Sequence, residues 1–429
     1  MPPGCITMTT LLKNGRVIDP VNNRDEIVDV LVSAEGLIAE VGPNLNVSDD
    51  IIVMNCTGFV VAPGLIDMHV HLRVPGQEHK EDVASGTAAA ANGGFTAIAC
   101  QPNTVPPIDT ASIVQDIHRQ AQNASARVYV VAAVSKALKN TELTEMADLK
   151  DAGIVGIGDD AYPVQNSLFL RRAMQYCAML DLPFIAHCED KDLTSDGVMN
   201  EGYVSTVLGL KGIPREAENI GTARNIMLAQ ATGCRLHILH VSTKESVEII
   251  RHAKSLGAPI TAETCPQYVA LTDEACYGYD TNAKMSPSLR TAADQAAIID
   301  GLKDGTLDAI ATDHAPHAPH EKEQEFALAP FGMLGLETSL GLVVTHLVKP
   351  GHLTLSQMVE KMSVAPARIL GVPGGSLSVG TPADITVFDP DAEWAVDVTK
   401  FKSKSRNSAL GGVTLTGRPI TTFVGGRQI

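Results

Sequence analysis

The sequence predicts an α/β fold class: a closed (β/α)8 barrel of the TIM type, with a small β-sandwich domain built from both chain ends. Three observations predict it. Eight short, apolar, β-branched runs recur, at 65–71, 95–100, 128–134, 154–158, 183–188, 236–241, 259–264 and 308–312. Amphipathic, Ala-rich segments lie between them, at 80–92, 110–122, 142–152, 167–181, 216–233, 243–257 and 291–303. Such alternation implies parallel strands joined by helical crossovers, and eight units suit a closed barrel better than an open sheet. The third observation is that both ends differ in character from this middle.

In chain order, residues 1–62 supply the first half of the sandwich. They carry short strand-like pieces with turns at Asn14-Gly15, Glu35-Gly36 and Thr57-Gly58. Residues 63–365 form the barrel. Residues 366–429 supply the second half, with turns at Gly380-Thr381-Pro382-Ala383-Asp384 and Gly425-Gly426. Neither end is long enough to bury a good core alone, so the two are expected to pair beside the barrel.

Composition narrows the function. A chain of 429 residues, 45% hydrophobic and 19% charged, suits a soluble α/β enzyme. Only 4% of residues are aromatic and the formal charge is −16, which argues against a nucleic-acid partner. No apolar run reaches membrane-spanning length, and Met1-Pro2-Pro3-Gly4 lacks the features of a signal peptide. Met8 reads as the natural start. The eight cysteines are scattered without zinc-ribbon spacing and read as reduced, mostly buried thiols of a cytoplasmic protein.

In a βα barrel the chemistry collects at the C-terminal ends of the strands. The first run ends in Asp67-Met68-His69-Val70-His71-Leu72-Arg73. Alternation along a strand is expected to point Asp67, His69 and His71 one way and Ile66, Met68 and Val70 the other. Two imidazoles on one rigid face can bind a metal without ordering a loop. Other strand ends carry Asn103, Asp159-Asp160, His187, His240 and Asp313. His187 and His240 also read as hydrogen-bonded core histidines, and Asp159 and Asp160 as caps of the next segment. His237 is expected to pack under a helix.

A buried ionisable group is costly unless paired or metal-bound, and finding one on most strands favours a shared centre. Four histidines and two carboxylates exceed the needs of one tetrahedral zinc. They fit a two-metal site, whose ions lie about 3.5–4 Å apart under a bridging carboxylate. Nitrogen and carboxylate ligands suit zinc, with manganese or cobalt as substitutes.

These residues resemble the amidohydrolase superfamily, and within it the type I dihydroorotases, over essentially the whole chain. The motifs are Pro63-Gly64-Leu65-Ile66-Asp67-Met68-His69-Val70-His71-Leu72-Arg73, Pro102-Asn103-Thr104 and Ala311-Thr312-Asp313-His314-Ala315-Pro316-His317. Pro330-Phe331-Gly332-Met333 and Gly335-Leu336-Glu337-Thr338 resemble the family's substrate-covering loop and the helix after it.

The resemblance implies reversible interconversion of N-carbamoyl-L-aspartate and L-dihydroorotate in pyrimidine biosynthesis, with two Zn2+ per subunit. His69 and His71 would hold one ion and His187 and His240 the other. Asp313 would touch the first ion and transfer the proton. Asp160 would bridge the ions, with Asp159 as the fallback. Arg73, Asn103 and His317 would grip the substrate's free carboxylate. His71, Ser286, Phe331 and Gly332 would complete the substrate site, the last two on a loop at 318–335.

The chain departs from the family pattern in three places. Glu263-Thr264-Cys265-Pro266-Gln267-Tyr268 is similar to hydantoinases and allantoinases, Ser286 stands where an asparagine is usual, and Ala161 follows the Asp pair in place of glycine. Two alternatives follow. One is a hydantoinase- or allantoinase-type cyclic amide hydrolase, although such relatives usually bridge their metals with a carboxylated lysine and none lies between Lys150 and Lys191. The other is an inactive scaffold for aspartate transcarbamoylase. A homo-oligomer, a dimer, is expected, and association of an active enzyme with that transcarbamoylase is also open.

Overall fold

A computed structural model describes residues 8–46 and 50–429, so the readings made on Met1-Pro2-Pro3-Gly4 lie outside the described residues. Eight strands pair in chain order as one parallel sheet. They are Leu65–Val70, Phe95–Cys100, Arg127–Ala133, Gly156–Gly158, Phe184–Ala186, Leu236–Ile238, Ile260–Thr264 and Ala309–Ile310. The first and last meet through a bridge between Val70 and His314, where the His71 N–H donates to the His314 carbonyl at 2.9 Å. Each expected run holds one strand, and the sheet closes as a barrel. Gly64 permits the close approach at its entrance, since a Cβ there would meet Thr96 Oγ1 at 2.0 Å.

The crossover helices form where local chemistry starts and stops them. Val83–Asn92 begins at Asp82, whose carboxylate accepts the Ser85 N–H at 2.8 Å. Glu216–Thr232 ends at Gly233, which adopts φ 69° without the penalty a side chain would bring. Among the described residues no helix is long and apolar enough to cross a membrane.

Ile66, Met68, Ala97, Ala99, Val131, Ile185, Leu239, Ala309 and Ala311 form one buried cluster drawn from around the barrel. Ala365, Ala367, Ile369 and Leu370 close it at the strands' N-terminal end, where Ser363 Oγ donates to the Gly64 carbonyl at 2.7 Å. Residues of the other strand face, such as Val70, Ile98, Val130 and Phe184, pack against the helices. Strict alternation fails at one important place. Pairing to the second strand slips between Asp67 and Val70. The Asp67 carboxylate does not join the two histidines. It accepts the His69 N–H at 3.0 Å and the Thr312 N–H at 3.1 Å.

The chain ends meet in a second sheet. Thr10–Asp19, Arg24–Val32, Ile38–Gly42, Ile52–Asn55 and Val60–Pro63 come from one end, and Ile385–Ala395, Thr414–Val424 and Arg427–Gln428 from the other. Val60–Pro63 joins the halves, pairing antiparallel with Ile385–Phe388 and parallel with Arg16 and Val17. The sheet closes around Leu12, Val17, Val30, Ile38, Val61, Ile385, Val387 and Phe423. Arg127 ties this body to the barrel, with Nε 2.7 Å and Nη2 3.0 Å from the Asp384 carboxylate. Between its long strands the chain returns to the barrel, and Val396, Phe401, Leu410 and Leu415 pack on Leu334 and Leu342. The seven described cysteines are free and buried.

Candidate metal centre

The barrel's C-terminal rim gathers six side chains that were expected to share a site. Asp160 stands at their middle. Its Oδ2 lies 3.6 Å from His69 Nε2 and 3.5 Å from His71 Nε2. Its Oδ1 lies 3.1 Å from His187 Nδ1 and 3.6 Å from His240 Nε2. One carboxylate therefore faces two histidine pairs, one through each oxygen. Asp313 Oδ1 joins the first pair, at 3.1 Å from His71 Nε2 and 3.4 Å from His69 Nε2. Two groups could each hold an ion: His69, His71 and Asp160, and Asp160, His187 and His240.

Whether this set fits divalent ions is tested by its buried polar atoms. His69 Nε2 and Asp160 Oδ2 are buried without a hydrogen-bond partner. Groups so placed cost free energy unless something else satisfies them. His187 Nδ1 and His240 Nε2 lie 2.8 Å apart, both facing Asp160. A cation in each group would satisfy these lone pairs together. The donor set fits.

Outer contacts set which nitrogen each ring presents. His69 Nδ1 meets Glu263 Oε1 at 3.0 Å, so this edge is the N–H donor and Nε2 points inward with its lone pair. His71 Nδ1 donates to Asn103 Oδ1 at 2.8 Å. His187 is reversed: Nε2 donates to Glu189 Oε2 at 2.8 Å, and Nδ1 faces Asp160. Glu189 is itself held by the Lys191 ammonium at 2.5 Å and the Thr194 hydroxyl at 2.6 Å.

Asp159 and Asp160 separate cleanly despite their adjacency. Asp159 accepts backbone N–H groups from His187 and Val164, both at 2.9 Å, and so braces the loop. Burial raises its carboxyl to about 6. Burial would do the same to Asp160, but contacts with His187, His240 and His69 hold it well below the usual carboxylate range. Burial also opposes ionisation of Asp313, and His69 and His71 outweigh it. Arg73, His240 and Asp313 adopt left-handed backbone, with φ of 60°, 33° and 47°. Non-glycine residues adopt it rarely, and such strain concentrates at functional sites.

Beside the histidines lie Arg73 and His317, two of the residues expected to grip a carboxylate. Arg73 is buried, with Nε donating to the Pro316 carbonyl at 3.1 Å and Nη2 lying 3.4 Å from His317 Nε2. Burial lowers the guanidinium only to about 10, so it stays charged at neutral pH. His317 Nε2 donates to the Phe331 carbonyl at 2.8 Å. Burial, with Arg73 nearby, lowers His317 to about 2, so this ring is neutral. The Gly332 N–H donates to the Lys284 carbonyl at 2.9 Å. Ser286 lines a narrow cleft with Glu189 and Arg290.

Three residues of the site were not anticipated. Glu263 lies one residue before the end of the seventh strand, and a carboxylate near that end was a readable signal. Glu189 lies two residues past His187. Asn407, whose side-chain oxygen accepts the backbone N–H of His317, gave no local signal, because it comes from the far chain end. His237 also differs from expectation. It does not lie under a helix but meets Glu263 Oε2 at 3.1 Å and Thr261 Oγ1 at 2.8 Å, opposite which the strand pairing sets it.

Residues 58–246 match the family model described as dihydro-orotase-like. The chain is 52% identical over 420 residues to the dihydroorotase of Acetivibrio thermocellus, covering 98% of each chain. It is 51% identical to the dihydroorotase of Pelotomaculum thermopropionicum, again over 98% of each. Among solved structures it is similar to the L-hydantoinase of Arthrobacter aurescens, with TM-score 0.88 and 27% identity over 99% of this chain and 96% of that one. The dihydropyrimidinase of Brevibacillus agri gives TM-score 0.86 and 25% identity, over 98% of this chain and 95% of that one.

Proposed function

The chain belongs to the dihydroorotase family, and from that premise we infer that it interconverts N-carbamoyl-L-aspartate and L-dihydroorotate in pyrimidine biosynthesis. The observation that carries the reading is the pairing of a six-residue metal-type cluster with a buried, charged arginine. Hydrolysis of the ring adds water across one amide bond, and the reverse closes it with loss of water. His69, His71, Asp160, His187, His240 and Asp313 would hold two zinc ions, with Asp160 shared. Bound ions of this kind polarise an amide carbonyl and make water nucleophilic near neutral pH.

The chain's own groups do the rest. Asp313, ionised in the folded protein, accepts the proton of the attacking water and delivers it to the leaving ring nitrogen. Arg73 offers a planar fork to the ring carboxylate, with Asn103 and His317 beside it. Phe331 and Gly332 cover the ring, and Ser286 flanks it. Residues 63–365 are taken as the catalytic unit and the two ends as its companion domain.

The hydantoinase-like fold does not favour the alternative substrate. A ring without a carboxylate would leave Arg73 buried and charged with no anion to meet. The finer expectations of a cytoplasmic homodimer and of association with aspartate transcarbamoylase rest on the family resemblance. Sedimentation of the protein alone and with the transcarbamoylase measures both. The activity is tested by turnover of L-dihydroorotate, hydantoin and allantoin side by side with zinc-loaded protein. Preference for dihydroorotate, with ring closure of N-carbamoyl-L-aspartate in the reverse direction, is expected. Preference for hydantoin or allantoin would overturn the reading.

A further inference from the structure

Asn407 lies more than three hundred residues from the metal-type histidines of the first strand, yet it is buried against the substrate side of the barrel rim, at 3% exposure. Its side chain is fully used. Oδ1 accepts the His317 N–H at 3.0 Å, and Nδ2 donates to the carbonyls of Ala315 at 2.9 Å and Gly332 at 3.1 Å. Its own carbonyl accepts the Leu334 N–H at 2.9 Å. An amide that both donates and accepts is the one side-chain type of this length that can make these three bonds at once.

The segment carrying Asn407 is itself anchored to the barrel. The N–H groups of Lys402 and Ser403 donate to Glu337 at 2.9 and 3.1 Å. The Ser403 hydroxyl and the Lys404 N–H reach Glu81, the latter at 3.1 Å. Ser405 Oγ donates to the Lys80 carbonyl at 2.8 Å. Glu81 in turn meets His314 Nε2 at 3.3 Å, next to Asp313.

We propose that Asn407 is a positioning residue that sets the carboxylate grip, by stapling the 315–317 turn to the 332–334 loop. The inference rests on the reading of Arg73 and His317 as that grip. Arg73 Nε is fixed by Pro316 and its Nη2 lies beside His317, so both depend on a turn whose flanks Asn407 holds. Loss of the staple lets the turn relax, and displacement of about 1 Å in a binding constellation is enough to cost large factors. The effect should fall on carboxylate binding more than on the chemical step.

Asn407→Asp tests this, because it keeps the acceptor for His317 but turns both donated bonds into oxygen–oxygen repulsions. Expected are unchanged zinc content, a KM for dihydroorotate raised roughly tenfold or more, a kcat within about threefold of the parent, and a similar loss in orotate affinity. Arg127→Gln is the control, since it breaks a different link between the end domain and the barrel. It should lower Tm without moving KM. Parent-like KM and orotate binding in Asn407→Asp, or an equal KM rise in Arg127→Gln, would overturn the proposal. Hydrogen exchange of the unaltered protein gives a second test that needs no variant to fold. By linkage, saturating orotate should slow exchange in 402–410 together with 314–334. Protection confined to 314–334 would also overturn it. If the parent itself neither binds orotate nor turns over dihydroorotate, the functional reading fails instead.

Discussion

His69 and Glu263 form a buried pair, Nδ1 to Oε1 at 3.0 Å, that fixes which nitrogen His69 turns toward Asp160. Glu263 also meets His237, so one carboxylate orders two rings across the barrel interior. Burial would raise Glu263, but His237 and His69 hold it at about 2, so it is an anion throughout the working range.

Glu263→Gln should therefore weaken metal binding while leaving the fold intact. Outer partners of metal-binding histidines typically carry a factor of about 10–100 in affinity. Competition with a zinc chelator measures it. Affinity equal to the parent's would mean that the contact only fills space.

Asp313→Asn should leave the fold nearly intact and lose turnover even when loaded with metal. General acid–base groups contribute on the order of 10²–10⁴-fold. Metal analysis and steady-state rates on the same preparation check this, and near-normal turnover in a loaded variant would remove Asp313 from proton transfer.

Arg73→Lys keeps a charge but loses the planar fork. Activity on dihydroorotate should fall mainly through KM, while any activity on a ring without the carboxylate should change much less. Equal losses on both would make Arg73 a structural residue.

The 318–335 loop carries a pH signature. Lys322 Nζ is buried and donates to the carbonyls of Pro330 at 2.8 Å and Lys284 at 3.4 Å. Burial, helped by the Lys284 charge and opposed by Asp280 and Glu321, lowers it from 10.5 to about 7. The unfolded chain thus holds the extra proton between these values, and the parent's stability rises with pH across that window. Below about pH 7 the full cost of the buried charge is present. Lys322→Met removes that cost, so its Tm relative to the parent should be highest below about pH 7 and decline as pH rises toward 10.5. Lost hydrogen bonds shift the whole difference by a constant. A difference that does not change with pH would contradict the account.

Much of this was legible in the sequence because strand ends and helix segments carry periodic signals. The eight runs each hold a strand, and the histidines at strand ends follow from the barrel's geometry. Periodicity failed at Asp67, where a slip in pairing removes it from the face of His69 and His71. Asp160 and Asp159 could not be told apart by pattern, since one peptide bond separates a carboxylate at the centre from one bracing backbone. Asn407 was invisible for a different reason. Its neighbours in space come from residues 315–334, and no local pattern encodes a contact across that distance in sequence.

The most direct test counts metals around Asp160. The account holds that a permanent carboxylate, 3.1–3.6 Å from all four histidines, joins two sites without any carboxylated lysine. Apo-protein refilled with zinc in CO2-free buffer should regain two ions per chain and full turnover of dihydroorotate, and Asp160→Ala should bind fewer ions and lose turnover. Recovery that depends on bicarbonate, or an Asp160→Ala protein that still holds two zinc ions, would contradict it.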